Sequence, residues 1–148
     1  PMFTHNSWDD HRILESQLLG DHSRTIKDRI VPYAIFTDPE LGRVGLSERE
    51  ARERHGDKIK VSQFDLKSNG RARESGETSG FIKLVAGSDD HLLGAAVFAA
   101  HGADVVASYV TLMNAGAKLD VIRNAIYIHP TFAEAMQSAA LNMSPAIG

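Results

Sequence analysis

A histidine and a glutamate five residues apart are the side chains of this sequence best suited to acid–base chemistry. His129 precedes Pro130, and a residue before proline avoids helical backbone, so His129 should lie on extended chain. Thr131 and Glu134 have the spacing of a capping box, which predicts a helix beginning at Thr131. An imidazole oriented by a nearby carboxylate can move protons near neutral pH. In the alternative, Glu134 only caps the helix and His129 is an ordinary loop histidine.

The elements that must position this pair are strands followed by helices. The strand-like segments are 32–37, 43–46, 58–66 (with a bulge between Val61 and Phe64), 81–86 and 92–100. The helical segments are 103–114, 119–125 and the one that begins at Thr131, and a short helix opens at Ser47. Strands first and helices after predict an α+β fold: an antiparallel sheet of about five strands with helices packed on one face.

The rest of the chain is divided by its polar stretches. Residues 4–19 form a predicted helix that ends at Gly20, and residues 21–31 form a polar linker. The main globular part is then 32–143, followed by a tail over 144–148. Within it, residues 67–80 are predicted to be a polar loop containing an Asn69-Gly70 turn.

Composition excludes several classes of protein. The chain has 148 residues, of which 43% are hydrophobic and 24% charged, as in an ordinary soluble globular protein. The net charge of −3 and the scattered lysines and arginines indicate no nucleic-acid or membrane partner. No cysteine is present, so these residues contain no disulfide, thiolate metal site or cysteine nucleophile. The seven histidines include no i, i+4 pair for a metal ion.

The sequence has no targeting or nucleotide-binding motif. No run approaches the ~20 apolar residues of a membrane span, and the first residues given lack the basic-then-apolar order of a signal peptide, so we expect a cytoplasmic protein. Because the chain starts with Pro1, we expect it to be processed or to be part of a longer polypeptide. No G-x-G-x-x-G pattern follows a strand and no G-x-x-x-x-G-K pattern occurs. Because these are the glycine-rich loops that bind phosphates, a nucleotide used by this protein is bound mostly elsewhere.

Six stretches in register resemble the C-terminal end of the flavin-dependent pyridine nucleotide–disulfide oxidoreductases. They are residues 36–40 (FTDPE), 44–48 (VGLSE), 69–72 (NGRA), 80–84 (GFIKL), 93–95 (LGA) and His129-Pro130-Thr131 with Glu134. That family includes dihydrolipoamide dehydrogenase, glutathione reductase and mercuric reductase. In addition, Phe3-Thr4 at the start of the first helix resembles the end of the family's FAD domain.

The resemblance implies a dimerisation domain preceded by a remnant of the FAD domain over residues 1–20. In such enzymes electrons pass from NAD(P)H through FAD to a cysteine pair and then to a small disulfide, thiol or metal-ion substrate. The resemblance gives His129 and Glu134 as an acid–base pair acting on the partner subunit's thiols in a homodimer. It places Phe3 and Thr4 at the flavin. This chain alone would be inactive and would bind neither cofactor.

A second hypothesis is a non-catalytic homodimerisation module of a flavoprotein. Its helical surface would only hold two copies together, through Tyr109, Leu112, Met113, Phe132 and Met136. The isomer of the His129-Pro130 bond is open at this point, because a tertiary amide at a tight turn adopts either form.

Overall fold

The computed structural model describes residues 2–27 and 29–145. The chain forms two compact units, and the boundary between them in the sequence lies between Val31 and Pro32. The first unit contains one helix, α1 (Thr4–Leu19), with the predicted bounds. It begins after the extended residue Phe3 and ends at Gly20, whose backbone N–H donates to the carbonyl of Ser16.

The second unit is built on one antiparallel sheet. Its strands are β1 (Tyr33–Ile35), β2 (Glu40–Gly45), β3 (Ile59–Asp65), β4 (Phe81–Gly87), β5 (Leu92–Ala99) and β6 (Ser144–Pro145). They lie in the order β1-β2-β5-β4-β3-β6. The predicted α+β class and a sheet of about five strands are confirmed. The sixth strand comes from the predicted tail, whose residues 144 and 145 pair with β3, while 146–148 lie outside the described residues.

The helices of this unit all lie between β2 and β6 along the chain. They are α2 (Glu48–His55), α3 (Gly70–Ser75), α4 (Gly102–Asn114), α5 (Leu119–Asn124) and α6 (Ala135–Leu141), with a 3₁₀ turn over Leu66–Ser68. The helix α4 packs on β2 and β5, and α6 packs on β3 and β4. Within residues 2–27 and 29–145, no helix is both long and apolar enough to cross a bilayer.

The core lies between the sheet and the helices α4 and α6. Alternate residues of β4, namely Ile82, Leu84 and Ala86, are fully buried, as the period of a strand with one covered face requires. Close packing of α4 depends on Gly42 in β2, because a Cβ there would lie 2.7 Å from Cγ1 of Val106. A helix also covers part of the opposite face of the sheet, since α2 buries Ala51 against Ile59 and Val85 on the other side of β4.

Two local predictions are wrong. The segment 67–80 is not a loop, because Asn69 caps α3: its Oδ1 accepts from the backbone N–H of Ala72 at 2.9 Å. There is no bulge in the pairing of β3 with β4; the register shift lies instead between Val85 and Ala86, in the pairing of β4 with β5. The irregular alternation of apolar residues in β3 arises because both faces of this strand are partly buried, and not because of a bulge.

The association surface of the second hypothesis is also wrong for three of its five residues. Tyr109, Phe132 and Met136 are buried in the core of their own chain. Leu112 and Met113 on α4 are only half-buried. A residue packed inside the monomer cannot supply the surface that holds two copies together, so the apolar surface of this unit lies elsewhere.

Candidate active site

One carboxylate serves both purposes that the sequence left as alternatives. The Oε2 atom of Glu134 lies 2.8 Å from Nδ1 of His129, and its Oε1 accepts from the backbone N–H of Thr131 at 3.2 Å. An ionised carboxylate only accepts hydrogen bonds, so Nδ1 is the donor in this contact, and in the neutral form of the ring Nε2 then keeps its lone pair. Glu134 therefore caps the turn and orients the imidazole at the same time.

The turn between His129 and α6 is held by short-range hydrogen bonds. The Thr131 hydroxyl donates to the carbonyl of Ile128 at 2.8 Å and accepts from the backbone N–H of Glu134 at 3.2 Å. The reciprocal capping bonds are thus present, but the regular helix begins at Ala135 and not at Thr131 as predicted. The reason is that the N–H of Ala135 reaches back only three residues, to Phe132. The His129-Pro130 peptide bond is cis.

The imidazole points away from the core of its own chain. The His129 side chain is 75% exposed, whereas the Glu134 side chain is 20% exposed. Two apolar side chains beside the histidine, Ile126 and Ile128, are almost entirely exposed as well. An oriented ring in an apolar, solvent-facing segment can act on a group that belongs to another molecule.

The start of this segment is anchored from α6 and α5. The side-chain amide of Gln137 donates to the carbonyls of Arg123 and Ala125, at 2.8 and 3.0 Å. The Arg123 side chain donates to the carbonyl of Ala140 and to Asp90, which also accepts from Lys60. The hydrogen bond from Lys60 holds the pKa of Asp90 below its usual range.

Sequence reasoning missed the residue that ties the histidine turn to α3. Asn69 is buried, and its side-chain Nδ2 donates to the carbonyl of Thr131 at 3.0 Å. Its neighbour Gly70 lies near the ring, since a Cβ added there would be 3.4 Å from Cε1 of His129. Asparagine is a common N-cap residue, so the sequence could have indicated that Asn69 caps a helix. Nothing local in the sequence indicates its second partner, Thr131, 62 residues away.

The other predicted site residues, Phe3 and Thr4, belong to the first unit, and His129 and Glu134 to the second. Thr4 is the first residue of α1, and the side chain of the N-cap residue Phe3 makes no capping hydrogen bond. The rings of Phe3 and His5 are stacked, with centroids 5.1 Å apart. The first turn of a helix carries a partial positive charge and favours an anionic group. Within the described ranges, no cluster of three metal-ligating side chains occurs.

The fold and the site define a class of domain: an α+β domain that carries an oriented, solvent-exposed imidazole. Residues 31–140 match the family model of the pyridine nucleotide-disulphide oxidoreductase dimerisation domain. The chain therefore belongs to this family and contains its dimerisation domain.

Individual relatives agree with this assignment. The chain is 35% identical over 136 residues to the probable pyridine nucleotide-disulfide oxidoreductase RclA of Escherichia coli, covering 90% of this chain and 31% of the relative. It is 29% identical over 143 residues to dihydrolipoyl dehydrogenase 3 of Haloarcula marismortui, covering 96% and 30%.

A solved structure of the HOCl-induced flavoprotein disulfide reductase RclA from Escherichia coli superposes with a TM-score of 0.88 at 32% identity. The match covers 95% of this chain and 33% of that one. The chain thus spans about a third of the length of the relatives it matches.

Proposed function

We propose that this domain completes the active site of a homodimeric disulfide oxidoreductase, with His129 as the acid–base group and Glu134 as the residue that orients it. The observation that supports the proposal most strongly is the 2.8 Å contact between Nδ1 of His129 and Oε2 of Glu134, on a ring that is itself exposed. A ring held at one nitrogen and open at the other has the geometry of a general base or acid.

The chemistry of the pair follows from this arrangement. The Nε2 atom of His129 accepts the proton of an attacking thiol, and the resulting imidazolium returns it to a leaving thiolate. The carboxylate of Glu134 stabilises the imidazolium and holds the tautomer in which Nε2 is free to accept. Since the chain has no cysteine, the thiols come from another part of the enzyme or from the substrate. We assign the thiols on which His129 acts to the partner subunit.

Self-association at the histidine segment is part of the proposal. Ile126 and Ile128 are 101% and 81% exposed, and burying two such side chains against a partner would contribute a few kcal/mol. A contact there would bring a second copy within reach of His129. In the homodimer each subunit would then supply the imidazole of the other subunit's thiol centre.

The complete enzyme would use FAD and NAD(P)H, and its substrate would be a small disulfide, thiol or metal ion. When bound, the flavin would supply the two-electron transfer between the nicotinamide and a cysteine pair. Phe3 and Thr4 would hold it at the entrance of α1, whose N-cap residue Phe3 makes no side-chain capping hydrogen bond. The flavoprotein character of the RclA structure and the dihydrolipoyl dehydrogenase relatives support this proposal. The 148-residue chain alone would have no reductase activity.

The test is turnover of the complete enzyme with His129→Ala. We expect kcat to fall by about 10²-fold or more, the usual contribution of a general acid–base group, with flavin content unchanged. A matched control is His91→Ala, since Nδ1 of His91 also lies 2.9 Å from a carboxylate, that of Asp89, in an exposed turn. Unchanged turnover in His129→Ala would contradict the acid–base role and leave only the association module.

A further inference from the structure

A buried asparagine uses both ends of its side chain to join two distant segments. Asn69 is 3% exposed. Its Oδ1 accepts from the backbone N–H of Ala72 at 2.9 Å and so caps α3. Its Nδ2 donates to the carbonyl of Thr131 at 3.0 Å. A cap alone needs only the oxygen, so the amide nitrogen performs a second task.

The turn that carries Glu134 needs an anchor outside itself. The backbone N–H of Thr131 donates to Glu134, and its hydroxyl donates to Ile128 and accepts from the N–H of Glu134. These bonds fix the shape of the turn but not its position on the domain. Among the described hydrogen bonds of Thr131, only the one from Asn69 leaves residues 128–134.

The residue after Asn69 lies next to the imidazole, without a side chain between them. A Cβ on Gly70 would lie 3.4 Å from Cε1 of His129 and 3.7 Å from Cβ of Pro130. Cε1 is the ring carbon between Nδ1 and Nε2, so the first residue of α3 borders the reactive edge of the ring. Movement of the turn relative to α3 would therefore change the position of Nε2.

We propose that Asn69 is a positioning residue for His129: its bond to Thr131 fixes the His129–Glu134 pair against α3. This inference rests on the acid–base role proposed above. Asn69 acts through Thr131, and its own side chain does not touch the reacting groups.

The test separates the anchor from the cap. Asn69→Asp keeps an oxygen for the N–H of Ala72 but cannot donate to Thr131, and Asn69→Ser also keeps a capping oxygen without adding charge. In the complete enzyme we expect both variants to lower kcat by about 10- to 100-fold, the effect of a small misplacement, with KM for the nicotinamide unchanged. Asn114→Asp is the matched control, because the Nδ2 of Asn114 also donates to a backbone carbonyl, that of Val110, at an exposed position at the end of α4. We expect it to match the wild type.

A second readout does not depend on activity. In the ¹⁵N-labelled 148-residue chain, the wild-type His129 ring should show one tautomer, with the proton on Nδ1, and both Asn69 variants should mix the two tautomers while their amide spectra stay folded. Wild-type ring spectra and wild-type kcat in both variants would overturn the positioning role. If the Asn69 variants perturb the ring but neither they nor His129→Ala slow turnover, then Asn69 does position His129, and the proposed acid–base role of His129 is wrong.

Discussion

Replacing Glu134 by glutamine removes the charge from the pair while keeping the length of the side chain. The Thr131 N–H needs an acceptor, so the glutamine oxygen should take over the contact that Oε1 makes at 3.2 Å. The amide nitrogen of the glutamine then faces Nδ1 of His129. Because an amide nitrogen only donates hydrogen bonds, Nδ1 must become the acceptor. The ring proton moves to Nε2, and the atom that should accept a proton no longer can.

The size of the effect follows from the contact that is lost. A hydrogen bond to a charged group contributes about 1.5–3 kcal/mol, and the 20% exposure of Glu134 leaves moderate solvent screening. About 2 kcal/mol lost from the transition state corresponds to a decrease in kcat of about 30-fold. Because the capping bond is kept, the free energy of unfolding should change by less than about 0.5 kcal/mol.

The assay is steady-state oxidation of the reduced nicotinamide by the complete enzyme, together with urea unfolding of the 148-residue chain. Glu50→Gln is the matched control, since Glu50 closes a capping box by accepting from the N–H of Ser47 at 2.8 Å, on α2. The reasoning predicts the 30-fold loss only for Glu134→Gln. Equal losses in both variants, or none in Glu134→Gln, would refute it.

Two further predictions concern stability. The Tyr109 hydroxyl is buried without a partner among the described residues, so Tyr109→Phe should raise Tm by about 3 °C. Burial raises the pKa of Tyr109 in the folded protein. The wild type should therefore lose stability as the pH rises above about 10, where the unfolded tyrosine ionises, and the difference in Tm between Tyr109→Phe and the wild type should increase. A Tm of Tyr109→Phe below that of the wild type would contradict this prediction. Asp90→Asn, at a residue with φ of +67° that asparagine tolerates, should cost about 0.5–1 kcal/mol at pH 7 through loss of the Lys60 and Arg123 pairs. Since the pKa of Asp90 is lowered in the folded state, this difference should disappear as the pH falls below about 4, and a constant difference in urea unfolding would contradict it.

The sequence was most informative where interactions are local. The pattern of β4, with Ile82, Leu84 and Ala86 on one face, and the helical periodicity of α4 both gave elements within a few residues of their positions. The spacing of His129 and Glu134 suggested an oriented imidazole but left open whether Glu134 only caps the turn. The structure shows both contacts, because the residues between the two side chains form a single turn.

The features that were missed depend on distant partners. The strand β6 exists because Ser144 and Pro145 meet β3, and the second role of Asn69 exists because Thr131 lies beside α3. The late start of α6 at Ala135 reflects a turn that the capping pattern cannot distinguish from a helix. Such long-range contacts leave no periodic signal in the sequence.

The most direct measurement of the central claim is complementation between two inactive subunits. One subunit carries His129→Ala, and the other keeps His129 but lacks the redox cysteines of the complete enzyme. If the imidazole acts across a two-fold interface, the mixed dimer contains one functional site of two and should show about half of the wild-type turnover. A mixed dimer without activity, formed from subunits that still bind flavin, would show that His129 does not act on its partner and would contradict the account.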